Sequence, residues 1–222
     1  MGARRLSSTY SLVADIGGTN TRVALAEGSN VRSETIRRYR NADHVGLEEI
    51  LTAFLEAEDQ AECHAASVAI AGPVRDGRGT LTNLDWTIDE ATLARVTRAE
   101  SAAVLNDLQA QGHAIGRIAP ENLLSVIKGK TASPGASMLV IGVGTGFNVA
   151  PVHQVDARRL VVASEAGHES LPVRTVEDLQ LARYVEKGHG FAAVEDVLSG
   201  RGLERIHAWL GGEDDAQSIM AR

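Results

Sequence analysis

Asp15 closes an apolar run, and Gly17, Gly18, Thr19 and Asn20 follow it before a second apolar run begins. Glycines have no Cβ, so the backbone can turn tightly there and bring its N–H groups close to a ligand. A carboxylate beside such a turn suits a phosphate and its Mg²⁺. Phosphate oxygens accept backbone N–H bonds, and Mg²⁺ takes hard oxygen ligands such as Asp15, directly or through water. An ordinary hairpin turn would use the same residues. Gly142-Val143-Gly144-Thr145-Gly146 also follows an apolar run. It offers the same two readings: N–H groups for phosphate, or a plain turn.

Asn106 and Asp107 follow the apolar residues 102–105. A carboxylate at the C-terminal end of a strand faces the crevice where open α/β sheets bind ligands. There Asp107 can take the proton of an attacking hydroxyl, and Asn106 can both donate and accept. Asn and Asp are equally good helix N-caps, so the pair has a structural reading too. Ser164-Glu165-Ala166-Gly167-His168-Glu169 combines an acceptor, an imidazole and a glycine that permits a close bend. A solvated polar loop is the plainer reading, and a Glu-x-x-His metal pair lacks a third ligand nearby in sequence. Glu195, taken alone, reads as a solvent-facing helix glutamate. Trp86 reads as core packing.

The elements that must hold these groups follow from periodicity and turn signals. Residues 10–16 and 21–26 read as a strand pair across the first glycine turn, and 31–38 as a third strand. Residues 45–57 carry Leu47, Ile50, Leu51, Phe54 and Leu55 at helical spacing. Residues 66–71 and 102–105 read as buried strands, and 80–83 as a short one. Thr87 and Glu90 have capping-box spacing before a helix to about residue 96. Residues 108–115 read as helical. A strand at 138–143, the second glycine turn and a strand at 147–152 repeat the opening scheme. Residues 160–163 extend it. This weak repeat points to two related domains, 1–115 and 116–222. Helical segments are expected at 175–187, stopped by Gly188 and Gly190, and at 194–198 and 203–210.

The chain has 222 residues and a net charge of −7, with no basic stripe, which argues against a nucleic-acid partner. Its single cysteine, Cys63, excludes an intramolecular disulfide and any cysteine-based zinc site. That fits a reducing cytoplasm. No apolar run reaches the ~20 residues of a membrane span, and no secretory leader is evident, so no membrane association is expected.

The first glycine turn, Asp15-Ile16-Gly17-Gly18-Thr19-Asn20, resembles the first phosphate motif of the sugar kinase and actin superfamily, and its wording is closest to the bacterial glucokinase family. It is neither the P-loop nor the dinucleotide fingerprint. Further segments match that family in order: Ala71-Gly72-Pro73-Val74, Thr82-Asn83-Leu84-Asp85-Trp86, Asn106-Asp107, the loop 142–146, Glu165-Ala166-Gly167-His168, and Glu195-Asp196-Val197-Leu198-Ser199-Gly200-Arg201-Gly202-Leu203. Ala166 departs from the family's Glu-Gly-Gly-His, a small residue for a small one. The resemblance extends from residue 12 to about 210.

What the resemblance implies is an α/β, actin-like ATPase (ribonuclease H-like) fold, with an N-terminal domain, an incomplete second domain and a cleft between. It also implies ATP-dependent phosphorylation of a hexose, with glucose favoured. Asp107 would be the base. Asn83, Asn106, Glu165, His168 and Glu195 would bind the sugar. Asp15, Gly17, Gly18, Thr19 and Asn20, with Gly144, Thr145 and Gly146, would hold ATP and Mg²⁺, the metal at Asp15. The only protein partner expected is a second copy in a homodimer. Family members continue for roughly another hundred residues, as two domains of ordinary length would. That portion carries the adenosine loop and a closing helix, and nothing here matches it. A truncated, inactive homologue that binds sugar or a partner is therefore the alternative expectation. A transcriptional regulator of the related ROK family is disfavoured, because only residues 1–11 precede the first phosphate motif and a DNA-reading domain needs more.

Overall fold

Alternating buried residues in β1 (Tyr10–Ile16) put Leu12, Ala14 and Ile16 on a core face and leave Asp15 pointing to solvent. The computed structural model describes residues 10–81, 84–156 and 158–221. These fall into two compact units, Met1–Ala110 and Gln111–Arg222.

In the first unit, β1 pairs antiparallel with β2 (Asn20–Glu27), from Tyr10 opposite Glu27 to Ile16 opposite Thr21. The outer edge of β2 carries two short strands, β3 (Asn30–Val31) and β4 (Arg37–Arg40). The single strand expected over 31–38 is therefore broken. Thr35, buried in a 3₁₀ turn at Ser33–Thr35, accepts from the Leu25 N–H at 2.9 Å and donates to the Arg32 carbonyl at 2.8 Å. Those local bonds displace the ladder there. Helix α1 (Leu47–Ala57) buries the whole stripe Leu47, Ile50, Leu51, Phe54 and Leu55.

β5 (Cys63–Ile70) then runs parallel to the other side of β1. A small meander of β6 (Val74–Arg75), β7 (Arg78–Thr80) and β8 (Thr87–Asp89) leads into α2 (Glu90–Thr97). The expected Thr87–Glu90 capping box is not formed. Thr87 lies in β8 opposite Thr80, and the helix is capped by Asp89, whose carboxylate accepts from the Thr92 N–H at 2.8 Å. β9 (Ser101–Asn106) adds parallel to β5. The sheet order is β3-β2-β1-β5-β9, with β4 also on β2. The core joins Leu12, Ile16, Val68 and Ile70 of the sheet to Phe54 of α1 and Leu93 of α2, with Trp86 as expected among them. Helix α3 (Asp107–Ala114) follows β9 directly.

The second unit holds an antiparallel sheet of β10 (Met138–Val143), β11 (Phe147–Val155) and β12 (Arg158–Val161). Ala150, Val152 and Val161 are buried, whereas Leu139, Ile141 and Val143 line an exposed apolar edge. Helix α4 (Val176–His189) starts at a reciprocal cap. The Thr175 hydroxyl accepts from the Asp178 N–H at 3.1 Å, and the Asp178 carboxylate accepts from the Thr175 N–H at 2.9 Å. Two backbone N–H bonds hold the Asp178 carboxyl below the usual carboxylate range. The helix stops at Gly190, at a φ of 85°. The helical segment expected at 194–198 is only a 3₁₀ turn, Val194–Asp196. Helices α5 (Gly200–Trp209) and α6 (Ala216–Met220) complete the unit. Among the described residues, no helix is long and apolar enough to cross a membrane.

Phe54 is fully buried at the centre of the first unit's core. Phe54→Ala is expected to cost about 3–5 kcal/mol, the transfer loss plus a cavity term. Urea unfolding followed by circular dichroism checks this. A loss below about 1 kcal/mol would mean that α1 does not seal this core.

Candidate functional site

The first glycine turn is closed by its own backbone and clamped from behind. The Gly17 N–H donates to the Asn20 carbonyl at 3.0 Å. Asn41 does the clamping: its side-chain NH₂ donates to the Gly17 carbonyl at 2.8 Å, and its backbone N–H donates to the Thr19 carbonyl at 2.9 Å. The Thr21 hydroxyl in turn donates to the Asn41 side-chain oxygen at 2.8 Å, and both residues are buried. The turn's carbonyls are thus consumed inside. The Gly18 and Thr19 N–H groups donate to no backbone acceptor among the described residues. Asp15 faces Arg22 across the β1–β2 ladder, with 3.5 Å between guanidinium nitrogen and carboxylate oxygen. An exposed pair of that length contributes little, so it leaves the carboxylate open to competition from a cation.

Asn106 and Asp107 stand where β9 passes into α3, and their side chains cap the start of that helix. The Leu108 N–H is shared by the Asn106 side-chain oxygen at 2.9 Å and the Asp107 carboxylate at 2.8 Å. The Asn106 NH₂ reaches the Gly72 carbonyl at 3.1 Å. Gly72 itself admits no side chain, because a Cβ would lie 2.5 Å from the Thr80 carbonyl oxygen. The parallel register puts Asp15, Ala69 and Leu105 in one row across β1, β5 and β9. Asp107 opens α3 directly after Asn106, the last residue of β9, so Asp15 and Asp107 stand at the same end of the sheet. Asn83 lies outside the described residues.

In the second unit three segments meet. The Gly144 N–H donates to the Gly146 carbonyl at 2.9 Å, closing the second glycine turn. The Glu195 carboxylate accepts from the Phe147 N–H at 3.1 Å, and the Gly200 N–H, first in α5, donates to the Gly144 carbonyl at 2.8 Å. Glu165 and His168 flank one 3₁₀ turn, their side chains 3.9 Å apart. That turn is tied to β11 by Asn148, whose side-chain oxygen accepts from the Ala166 N–H at 3.0 Å. Its partner segment is tied on as well: the Val194 N–H donates to the Glu169 carbonyl at 2.9 Å and the Leu171 N–H to that of Ala192 at 2.8 Å.

Glycine is required at two of these points. A Cβ on Gly167 would strike the Phe147 carbonyl oxygen and one on Gly202 the backbone of Val197, whereas one on Gly146 would meet only the movable end of the Glu195 side chain. Ala166 is tied by its N–H to the Asn148 side-chain oxygen, a backbone contact that does not depend on the side chain. Gly144, Thr145 and Gly146 are thereby brought together with Glu165, His168 and Glu195.

Among the described residues, no group of three His, Cys, Asp or Glu side chains could hold a metal by itself. Cys63 is buried, and burial pushes its thiol up to about 11, so it is no nucleophile at neutral pH. Sequence reasoning missed Asn41 and Asn148. Each lies far in the chain from one of the segments it ties, and neither sits in a turn or cap pattern that would single it out.

The family model for glucokinase matches residues 12–222. The glucokinase of Caulobacter vibrioides strain NA1000 is 34% identical over 213 residues, covering 94% of this chain and 64% of the relative. That of Erwinia tasmaniensis is 31% identical over 208 residues, with the same coverage of 94% and 64%. The chain therefore spans just under two thirds of the length of these curated relatives. Among solved structures, a glucokinase from an Antarctic psychrotroph superposes with a TM-score of 0.77 at 29% identity, over 93% of this chain and 67% of that one. A Balamuthia mandrillaris glucokinase in complex with glucose shares the fold, with a TM-score of 0.64 at 22% identity, over 98% of this chain and 69% of that one. The mixed α/β, actin-like ATPase fold expected from the sequence agrees with these neighbours.

Because a Cβ at Gly167 would strike the Phe147 carbonyl whereas Ala166 is held through its backbone N–H, the two positions should respond differently. Ala166→Gly is expected to leave the thermal midpoint within a few degrees. Gly167→Ala must shift the turn off β11 and is expected to cost about 1–3 kcal/mol. Calorimetric unfolding of both variants checks this. Equal midpoints would mean that the turn is not anchored as described.

Proposed function

The chain belongs to the glucokinase family, and on that footing we propose that it serves ATP-dependent phosphorylation of a hexose, glucose by preference, to the 6-phosphate. The observation that carries this reading is the shared sheet end of Asp15, the first glycine turn and Asn106-Asp107, set by the β1-β5-β9 register. Phosphoryl transfer needs little covalent help from the protein. It needs the acceptor hydroxyl, the phosphate and the metal held in line.

Asp107 is proposed to take the proton of the attacking hydroxyl as the oxygen bonds to phosphorus and ADP leaves. Its carboxylate is half-buried and has one oxygen on the Leu108 N–H, which fixes its direction. Asn106, with its NH₂ on Gly72, is oriented to exchange hydrogen bonds with neighbouring hydroxyls. Glu165, His168 and Glu195 are proposed to accept from, or donate to, the remaining ring hydroxyls, and Asn83 is included in the same set. A site built to bond hydroxyls rejects analogues that lack them. The backbone N–H groups at 17–20 and 144–146 are proposed for the phosphates. Asp15 fits Mg²⁺, which commonly takes one or two carboxylates with water and substrate phosphate as its other ligands. Bound there, the ion would neutralise phosphate charge. Asp15 is exposed, and its pairing with Arg22 at 3.5 Å is weak.

Two measurements test this together. Glucose titration calorimetry should show binding, and Glu165→Ala should weaken it by roughly 1–3 kcal/mol by leaving hydroxyl donors unpaired. In a coupled kinase assay Asp107→Asn should retain glucose binding and lower kcat by at least ~10²-fold, the low end for a positioned base. Turnover by that variant equal to the parent's would remove Asp107 from the base role. Glucose binding by a parent without turnover would mark a sugar-binding relative instead.

A further inference from the structure

Resting on the hexose reading above, we propose that Arg201 is a phosphate-binding residue and that Glu195 couples its availability to the hexose. Nothing in the matched motif assigns Arg201 a role; it fills the open position of Ser199-Gly200-Arg201-Gly202.

Its surroundings are specific. The Arg201 Nε donates to the Thr145 carbonyl at 3.3 Å, at the tip of the second glycine turn. One of its terminal nitrogens lies 3.9 Å from Glu195 Oε1. That is an ion-pair distance but too long for a hydrogen bond, so the terminal N–H donors on this side are unspent. The other Glu195 oxygen, Oε2, is held by the Phe147 N–H at the base of the same turn. Glu195 thus touches the turn with one oxygen and the turn's guanidinium with the other.

A chain of net charge −7 gains little anion affinity from its overall field. Local cations must supply it, and residues 142–147 contain none. Arg201 is 64% exposed beside that turn. A planar guanidinium with free N–H donors matches the geometry of phosphate oxygens.

The coupling follows from Glu195 Oε1. With no sugar, its charge faces Arg201 and offsets the guanidinium's pull on an anion. A hexose hydroxyl that donates to Oε1 satisfies that oxygen and weakens its hold. The guanidinium, still tethered to Thr145, is then free to turn its terminal N–H groups to phosphate. Release is cheap because the two groups are 3.9 Å apart with no hydrogen bond between them and the Arg201 side is exposed to water. Linkage is reciprocal, so phosphate must tighten hexose binding by the same factor.

The test uses this 222-residue chain, with inorganic tripolyphosphate in Mg²⁺ buffer as the probe, titrated with and without saturating glucose. In the parent, glucose should tighten tripolyphosphate binding by about fivefold or more, within the usual range of coupling between sites. In Arg201→Ala the thermal midpoint should be unchanged, glucose should bind at least as tightly as in the parent because nothing competes for Glu195 Oε1, tripolyphosphate should bind more weakly, and the gain from glucose should vanish. Arg201→Lys keeps the charge and should keep part of the affinity. A merely structural Arg201 would move the midpoint and not the coupling. Arg201→Ala with the full gain overturns the proposal, as does a parent that binds glucose with no gain. A parent that takes no glucose overturns the functional reading and this proposal with it.

Discussion

The parallel register of β1, β5 and β9 is the constraint on which the first unit depends. It aligns Ile16, Ile70 and Asn106 in one row, so the chain leaves all three strands at the same end. Side chains alternate across a strand, and a slip of one residue would send Asp15 into the core and Ile16 to solvent. Leu12, Ile16, Val68 and Ile70 are almost wholly buried, which makes such a slip costly. The apolar faces that stabilise the sheet thereby also fix where the carboxylates and the first glycine turn stand. Stability and chemistry share residues of the same strands, with alternate positions serving each.

The second unit is ordered differently. Its candidate groups lie on loops, and the loops are woven by hydrogen bonds rather than set by one register. Asn148 fastens the Glu165–His168 turn to β11, Glu195 fastens its own segment to Phe147, and the first N–H of α5 fastens Gly144. The unmatched donors of a helix N-terminus are well suited to that last task. Close backbone approach makes these contacts possible, and it leaves no room for a Cβ at Gly167 or Gly202. Among the charge pairs of the described residues here, Glu165–His168 is exposed on both sides and contributes little to stability. The value of such pairs lies in where they hold a guanidinium or a carboxylate.

Asparagines do similar work behind both glycine turns. Asn41 takes up two carbonyls of the first turn from inside, and the half-buried Asn148 serves the strand leaving the second. A buried amide left unsatisfied would be expensive, so Asn41 holds its neighbours in one arrangement. Such clamps keep a phosphate-sized turn formed before any ligand arrives, which lowers the ordering cost of binding.

Much of this was legible in the residues alone. The stripe Leu47, Ile50, Leu51, Phe54 and Leu55 specified α1, the glycine turns specified both hairpins, and the helix expected from residue 175 is α4. Those signals are local: periodicity and a missing Cβ. The motifs carried the family as well, because their order along the chain is itself sequence information. Tertiary structure decided what depends on distant partners. It broke the strand expected at 31–38, since Thr35 found bonds to Leu25 and Arg32, and it moved the α2 cap from Thr87 to Asp89 by drawing Thr87 into a ladder with Thr80. It chose Asn41 and Asn148 as clamps and set Arg201 over Thr145, 56 positions away in sequence. A hydrogen bond across such a separation leaves no trace in spacing or composition, because the chain that closes it is free to take any path until the cores of the two units are packed.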